Sequence, residues 1–174
     1  MPDRIRLDGR VAVVTGAAGV IGTATMRLLA ERGAHIVAVD RKQEELQTAI
    51  GDLPASARAL AIAADVTKEG EVAEYVRTTV GAFGTIDVFY NNAGIEGDIT
   101  PIPKYSLETF RRVLEVNVVG VFLGLKHVLP VMLKQNAGSI INTASIAGLI
   151  GSSEIAVYSA SKHAVIGLTK SAAL

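Results

Sequence analysis

The most constraining feature of this chain is a set of three glycines directly after a short apolar segment. Val11 to Thr15 is rich in β-branched residues and does not alternate with polar ones, which predicts a strand buried on both faces. The residues from Thr23 to Arg32 then predict a helix. A strand that turns tightly into a helix predicts an α/β fold. The glycines of the turn are Gly16, Gly19 and Gly22.

A second apolar strand, His35 to Val39, follows this helix and ends on Asp40. Strand, glycine turn, helix and strand together form the βαβ unit of a dinucleotide site. The glycines let the backbone approach a pyrophosphate, and the helix N-terminus offers N–H groups to its phosphates. Asp40 is placed to accept hydrogen bonds from ribose hydroxyls. The alternative, glycines that only pack a helix on a strand, does not explain the acid at the strand tip.

The rest of the chain alternates between strand and helix patterns in the same way. This alternation predicts a parallel sheet with helices on both faces. The predicted strands cover residues 59–63, 86–90 and 139–143, and the predicted helices cover residues 42–50, 68–80 and 106–134, before a last helix that carries Tyr158.

Polar or small residues follow several of these strands, where open parallel sheets bind ligands. Asp65 and Val66 follow the third strand, Asn91 to Gly94 follow the fourth, and Ser145 lies beyond the fifth. The Asn-Ala-Gly segment also fits simple turn chemistry. Asn117 lies inside an apolar helix, where a buried amide needs partners. From the residues alone, a structural role and a place in a polar relay are equally supported for it.

Tyr158 and Lys162 lie four positions apart, so a helix places both side chains on one face. An ammonium group near a phenol favours the phenolate and lowers the pKa of the phenol. A phenol tuned in this way exchanges a proton with an alcohol or carbonyl near neutral pH. The pair alone also fits a solvated helix face, so its meaning depends on the rest of the chain.

Composition narrows the classes of function. The length of 174 residues predicts one domain, covering residues 1–174. A balance of 17 basic and 17 acidic residues without a basic block is evidence against nucleic-acid binding. The absence of cysteine excludes disulfides and thiolate metal sites, and no metal site is predicted. The polar start, Met1 to Arg4, and the polar residues within the apolar stretch 116–133 favour a cytoplasmic protein without a membrane span.

Together these residues resemble the short-chain dehydrogenase/reductase family of the single-domain type. The resemblance implies a Rossmann-type parallel sheet, with strand order 3-2-1-4-5 for the five strands in this chain. It extends over nearly the whole chain. The matching pieces are Thr15 to Gly22, Asp40, Asp65-Val66, Asn91 to Gly94, Asn117, Ser145 and Tyr158 to Lys162.

The resemblance implies a role for each matching position. Tyr158 is expected to be the general acid/base, and Lys162 to assist it and hold the nicotinamide ribose. Ser145 is expected to bind the substrate oxygen, and Asn117 to hold a water that links Lys162 to solvent. The expected cofactor contacts are Gly16, Gly19, Ile21, Gly22, Asp40, Asp65, Val66, Asn92, Ala93, Gly94, Tyr158 and Lys162.

The implied activity is hydride transfer between NAD(H) and a secondary alcohol or ketone. Asp40 favours NAD over NADP, although the adjacent Arg41 would suit a 2′-phosphate. The alternative function is a dinucleotide-binding sensor or assembly protein without turnover. A nucleotide-sugar epimerase uses a similar Tyr-Lys pair. It is less favoured, because epimerase chains carry a larger second domain. Family likeness also predicts a homodimer or homotetramer formed through the helix 106–134 and the Tyr158 helix.

Two features depart from the family pattern. Val20 occupies the position of a usual glycine, with Gly19 before it, which predicts a slightly different turn that keeps the site. The family's domains have about 250 residues, whereas this sequence stops inside the Tyr158 helix. We therefore expect the C-terminal part of the domain, with two further strands, to be missing from the sequence, and the 174 residues alone to turn over little substrate.

Overall fold

The computed structural model describes residues 5–174, so the polar start from Met1 to Arg4 lies outside the described residues. Five strands form one parallel sheet. Their order, β3-β2-β1-β4-β5, confirms the predicted strand order. The strands are β1 (Val11–Thr15), β2 (His35–Asp40), β3 (Ala59–Ala63), β4 (Val88–Asn91) and β5 (Ser139–Asn142).

Six α-helices flank the sheet in the described part of the chain. A π-helical segment, Glu115–Val119, separates the fourth helix from the fifth, so the predicted helix 106–134 is not one regular α-helix. The first helix begins before the predicted Thr23, because the Thr23 N–H donates to Gly19 O and closes a first turn there. The helices are α1 (Val20–Glu31), α2 (Gln43–Gly51), α3 (Glu69–Phe83), α4 (Leu107–Leu114), α5 (Gly120–Gln135) and α6 (Ala156–Ala172).

The alternation of side chains along the strands divides the core into two layers. On one face, Val13 and Val37 pack with Tyr75 of α3 and Leu123 of α5. On the other face, alternate residues such as Ile36 pack against α1 and α2. Both faces of the sheet are therefore covered, which explains why β1 and β2 are apolar without alternation.

The fourth strand begins at Val88, two residues later than predicted. The backbone of Ile86 is instead paired with a side chain: its N–H donates to Gln135 Oε1 at 3.1 Å, and its carbonyl accepts from Gln135 Nε2 at 3.0 Å. This amide clamp connects the start of β4 to the end of α5. Sequence periodicity does not detect such a pairing, because the two residues are 49 positions apart.

The helical stretch Leu107–Gln135 is long and apolar enough to cross a membrane, with a mean hydropathy of 1.8 over its most apolar window. Composition alone does not distinguish such a span from a core helix. In this fold 44% of that window is buried. Leu123 and Val128 belong to the core beneath the sheet, and Val121 and Leu125 pack with Val165 of α6. One side of the stretch is therefore packed into the core.

Replacing Gly124 tests how closely α5 packs on the sheet. A Cβ at this position would lie 2.8 Å from Phe89 Cζ and 2.9 Å from Asn91 Nδ2. We expect Gly124→Ala to lower the free energy of unfolding by about 1–3 kcal/mol, the usual cost of overpacking. The matched control is Gly81→Ala on α3, where a Cβ would meet nothing within 4 Å. The control should gain about 0.5–1 kcal/mol from helix propensity. Urea unfolding of both variants measures the difference, and equal effects would contradict the packing argument.

Candidate active site

A cleft of about 690 Å³ opens at the carboxyl ends of the strands. It lies where the strand order reverses between β1 and β4, the position at which open α/β sheets bind ligands. All twelve residues expected to contact a cofactor line this cleft. They are Gly16, Gly19, Ile21, Gly22, Asp40, Asp65, Val66, Asn92, Ala93, Gly94, Tyr158 and Lys162.

The glycine turn leaves no room for side chains at two positions. Gly16 has a φ of +64°, and a Cβ there would lie 2.9 Å from Ala93 Cα. A Cβ on Gly22 would overlap the Gly16 carbonyl oxygen. These two glycines therefore set how closely α1 approaches β1 and β4. Val20 begins α1 and is 90% exposed, so the unusual residue at this position leaves the turn intact.

The N-terminus of α1 is suited to an anion. Gly19 precedes the helix as its N-cap residue and supplies no side-chain cap, and the first turn contains no acidic residue. The amide groups of that turn therefore face the cleft without a protein carboxylate competing for them. Backbone amides and the positive end of the helix dipole bind phosphate groups at such positions.

Asp40 connects the tip of β2 to the glycine turn. Its Oδ2 accepts a hydrogen bond from the Ala18 N–H at 3.0 Å, and its Oδ1 accepts one from the Arg41 N–H at 2.8 Å. Each carboxylate oxygen can accept a further hydrogen bond. The carboxylate is thus fixed at the cleft edge with acceptor capacity remaining for a ligand hydroxyl.

Asp65 lies at the end of β3 on the same side of the cleft. Desolvation alone would raise the pKa of Asp65, but hydrogen bonds and nearby positive charge lower it overall. Its Oδ1 accepts from the Thr67 N–H at 2.9 Å and from Thr67 Oγ1 at 2.8 Å. Lys68 and Arg41 add favourable charge. Asp65 is therefore held as a carboxylate, and its Oδ2 accepts no hydrogen bond from Thr67.

Two threonines to which sequence reasoning gave no role hold the middle of the cleft together. Thr15 Oγ1 accepts from the Asn92 N–H at 2.9 Å and from the Ala93 N–H at 3.1 Å. Thr143 Oγ1 donates to Asn92 Oδ1 at 3.1 Å. The only sequence signal for Thr15 was its place directly before Gly16. Thr143 had no signal beyond its position at a strand end.

Tyr158 and Lys162 lie one turn apart on α6, and both line the cleft. Lys162 is only 3% exposed, and its Nζ donates to the Thr143 carbonyl oxygen at 2.7 Å. The same Nζ lies 5.5 Å from the centroid of the Tyr158 ring. Desolvation lowers the pKa of Lys162, because burial penalises its charged form. The pair therefore places a partly desolvated ammonium beside a phenol.

Asn117 is fully buried behind this pair and has protein partners on both ends of its amide. Its Oδ1 accepts from the Ile95 N–H and its Nδ2 donates to the Ile95 carbonyl oxygen, both at 2.8 Å. Nδ2 also donates to Ser161 Oγ at 3.0 Å, and that hydroxyl donates to the Tyr158 carbonyl oxygen at 2.7 Å. The π segment that carries Asn117 is thus fixed to α6. Sequence reasoning missed Ser161, because nothing in its spacing indicated a partner.

A gap beside Gly94 separates Asn117 from Lys162. A Cβ at Gly94 would lie 3.2 Å from Asn117 Oδ1 and 3.5 Å from Lys162 Nζ. The missing side chain therefore leaves a small space that an acceptor and a cation both face. A space with polar groups on two sides is suited to a water molecule.

Ser145 occupies a different position from the other expected site residues. Its Oγ accepts a hydrogen bond from the Ala147 N–H at 3.2 Å and caps a short turn, Ile146–Gly148. It does not line the cleft, and neither does the buried Asn117. The hydroxyl keeps its own proton for donation, because the bond to Ala147 uses only an acceptor position.

These features fit a dinucleotide with a reactive group at one end. The cradle between Gly16 and Gly22, the uncapped helix and Asp40 suit the phosphates and a ribose. The partly desolvated Lys162 and the phenol of Tyr158 occupy the other end of the cleft. A cation beside a phenol can support proton transfer to a ligand oxygen.

Comparison with known proteins identifies the chain's relatives. The chain is 40% identical over 172 residues to levodione reductase of Leifsonia aquatica, covering 97% of this chain and 64% of that protein. It is 43% identical over 167 residues to cis-4-hydroxycyclohexanecarboxylate dehydrogenase of Sinomonas cyclohexanicum, covering 95% of this chain and 66% of the relative. The chain thus spans about two thirds of the length of these relatives.

A solved structure shows the same fold. NAD⁺-bound xylitol dehydrogenase superimposes with a TM-score of 0.94 at 43% identity, over 96% of this chain and 65% of that one. The model of the family described as short chain dehydrogenase matches residues 10–174, which include every strand, every helix and the whole cleft. The chain therefore belongs to the short chain dehydrogenase family.

Proposed function

We propose that this protein is a cytoplasmic oxidoreductase that transfers a hydride between NAD(H) and a secondary alcohol or ketone. We also propose that the chain belongs to a single Rossmann-type dinucleotide-binding domain. The observation that carries the proposal is the Tyr158–Lys162 pair in the dinucleotide cleft. The NAD⁺-bound state of the related xylitol dehydrogenase supports the choice of cofactor.

Different residues along the cleft would hold different parts of the cofactor. Amides at the N-terminus of α1 bind the pyrophosphate across Gly19, and Asp40 accepts hydrogen bonds from the adenosine ribose. Asp65 and Val66, which line the cleft, would meet the adenine, and Asn92 to Gly94 would lie against the inner side of the cofactor. Lys162 binds the nicotinamide ribose. Bound NAD supplies the hydride chemistry, and the protein supplies position and proton transfer.

Tyr158 is the general acid/base of the proposed reaction. In alcohol oxidation its phenolate takes the hydroxyl proton of the substrate, and in ketone reduction its phenol returns one. The Lys162 ammonium lies 5.5 Å from the centroid of the Tyr158 ring, so a positive charge is held beside the group that exchanges the proton. Ser145 donates a hydrogen bond from its hydroxyl to the substrate oxygen and holds that oxygen near Tyr158. The Ser145 side chain has to rotate towards the cleft to make this bond.

In this proposal Asn117 holds a water that links Lys162 to solvent. A water in the gap beside Gly94 accepts from Lys162 Nζ and donates to Asn117 Oδ1, which both face that space. The bond from the Ile95 N–H, the bond to the Ile95 carbonyl oxygen and the bond to Ser161 fix the amide orientation, so Oδ1 is the atom that faces the gap. The relay and the structural role are then two functions of one buried side chain.

Cofactor titration tests the assignment of Asp40. We expect NADH to bind at least about tenfold more tightly than NADPH, because a 2′-phosphate would approach the Asp40 carboxylate. Asp40→Ser should reduce this preference, whereas Asp52→Ser at the exposed end of α2 should not change it. Fluorescence titration of both cofactors measures the affinities. Tighter binding of NADPH by the unmodified protein would reject the assignment.

Two substitutions on α6 separate proton transfer from cofactor binding. Tyr158→Phe should lower turnover about 10²-fold or more and leave the NADH affinity nearly unchanged, because only the acidic proton is lost. Lys162→Ala should weaken both turnover and NADH binding. Steady-state rates and NADH titration measure the two effects. Unmodified turnover in Tyr158→Phe would refute the mechanism, and strong NADH binding without turnover of any alcohol would favour the dinucleotide-binding alternative.

Removal of one hydroxyl tests the clamp on Asn117. Ser161→Ala leaves a buried Asn117 N–H without its acceptor, so the free energy of unfolding should fall by about 1–3 kcal/mol. Ser171→Ala on the same helix removes a hydroxyl bonded to the Gly167 carbonyl at an exposed position, and should change stability by less than about 0.5 kcal/mol. Chemical denaturation gives both values. Equal values would mean that Ser161 does not hold Asn117.

Self-association through α4, α5 and α6 is part of the proposal. Phe110 and Phe122 are aromatic side chains that remain exposed on α4 and α5. A second copy of the chain would cover them in a homodimer or homotetramer. Phe122→Glu should then shift the mass measured by light scattering towards the monomer. The control is Leu28→Glu on α1, since Leu28 is 49% exposed and Phe122 is 47% exposed. A monomer at all concentrations for the unmodified protein would contradict the proposal.

A further inference from the structure

A row of polar side chains connects the ends of β4 and β5 to α6, the helix that carries the proposed catalytic pair. Asn91 and Asn142 are paired residues of the two parallel strands, and Asn91 Nδ2 donates to Asn142 Oδ1 at 3.0 Å. Asn142 Nδ2 in turn donates to Thr169 Oγ1 of α6, also at 3.0 Å. We call Asn91, Asn142 and Thr169 the polar bridge.

Both ends of the polar bridge are anchored in helices. Asn91 is only 3% exposed, and its Nδ2 also donates to the Val121 carbonyl oxygen of α5 at 3.0 Å. Thr169 Oγ1 donates to the Val165 carbonyl oxygen of α6 at 2.7 Å. Inverting either amide would place two donors or two acceptors against each other. The hydrogen bonds of the bridge therefore run in one direction, from β4 to α6.

The polar bridge lies beside the contact that holds Lys162. Asn142 is directly followed by Thr143, whose carbonyl oxygen accepts from Lys162 Nζ at 2.7 Å. Lys162 and Thr169 are seven positions apart on α6, which is about two turns, so they share one face of the helix. Two bonds, at points about 10 Å apart along the helix axis, thus connect the end of β5 to that face.

Apolar packing between β5 and α6 does not set the position of the helix by itself. Val165 and Leu168 of α6 pack with Ile140 of β5. Such contacts are non-directional, so they resist separation of the two elements more than a small tilt or slide. The single bond to Lys162 would leave α6 free to pivot about that point. A second directional bond two turns away restricts this pivot.

We infer that the bond between Asn142 and Thr169 is a positioning contact that keeps Lys162 against the Thr143 carbonyl oxygen. Neither Asn142 nor Thr169 lines the cleft, so both act through Lys162. The inference rests on the proposed function only for its consequence in cofactor binding. Its geometric part concerns Lys162 alone and is tested without any ligand.

Chemical labelling of Lys162 tests the geometric part. Lys162 is 3% exposed, whereas Lys134 on α5 is an exposed reference. The protein is methylated with formaldehyde and a borane reductant, and mass spectrometry gives the rate at Lys162 divided by the rate at Lys134. Thr169→Val removes the hydroxyl, and this ratio should rise about three- to tenfold, the change expected for one lost hydrogen bond. Thr169→Ser keeps a hydroxyl and should restore the ratio of the unmodified protein.

Thr48→Val is the matched control. Thr48 Oγ1 on α2 donates to the Glu44 carbonyl oxygen four positions earlier, as Thr169 Oγ1 does to Val165. The control therefore loses the same kind of helical bond but no bond to a strand, and the labelling ratio should stay unchanged. Asn142→Ala should raise the ratio as Thr169→Val does. Combining the two substitutions should add nothing, because both remove the same bond.

Cofactor binding tests the consequence for the proposed function. AMP carries the adenine and its ribose but not the nicotinamide ribose that Lys162 would bind. Thr169→Val should weaken NADH binding about threefold or more and leave AMP binding unchanged. A general loss of structure would weaken both. Thr169→Ser should bind NADH as the unmodified protein does, and Lys162→Ala gives the full size of the effect.

The outcomes separate the inference from the proposed function. An unchanged labelling ratio in Thr169→Val or Asn142→Ala would overturn the inference, as would an equal rise in Thr169→Ser or an additive effect in the double variant. A raised ratio together with unchanged NADH binding in Lys162→Ala would keep the positioning contact and reject the role proposed for Lys162 at the cofactor.

Discussion

Burial of the Lys162 ammonium is the constraint on which the rest of the cleft depends. A charged group that is 3% exposed is costly unless polar partners compensate for the lost water. Thr143 supplies one such partner through its carbonyl oxygen, at 2.7 Å. Burial lowers the pKa of Lys162, because desolvation penalises its charged form. The position of Thr143 therefore has to be held firmly.

A chain of hydrogen bonds fixes Thr143 to the centre of the sheet. Thr143 donates to Asn92, and the backbone of Asn92 donates to Thr15 at the end of the central strand β1. The N–H of Thr143 also donates to the Asn91 carbonyl oxygen at 3.1 Å. The parallel pairing of β4 with β1 and β5 brings these three strand ends together. The sheet thus positions the acceptor of the Lys162 ammonium.

The sequence predicted the parts of the fold that depend on local patterns. Val11–Thr15 and Ala59–Ala63 have the predicted bounds, because apolar runs flanked by breakers leave little choice of register. The strand order came from family likeness and is confirmed. The π segment Glu115–Val119 was not predicted. Its sequence is an ordinary helical pattern, and the departure accompanies tertiary bonds from Asn117 to Ile95 and Ser161.

In the site, too, the sequence predicted what local motifs mark and not what distant hydrogen bonds determine. The residues that were expected to take part in cofactor binding or catalysis line the cleft, apart from Asn117 and Ser145. Thr143 and Ser161 were missed because their roles come from hydrogen bonds to residues far away in sequence, 51 positions for Thr143 and 44 for Ser161. No local period encodes a contact of that kind. Sequence reasoning therefore finds residues that carry chemistry more readily than residues that hold them in place.

The buried ammonium also explains why a ligand is needed to complete the cleft. A lysine carries three N–H donors, and within residues 5–174 its one protein acceptor is the Thr143 carbonyl oxygen. The remaining donors lie next to the cleft and to the gap beside Gly94. A ribose with two hydroxyl oxygens would satisfy the first, and a water held by Asn117 the second. Part of the affinity for a dinucleotide then comes from donors that the fold has desolvated and left without acceptors.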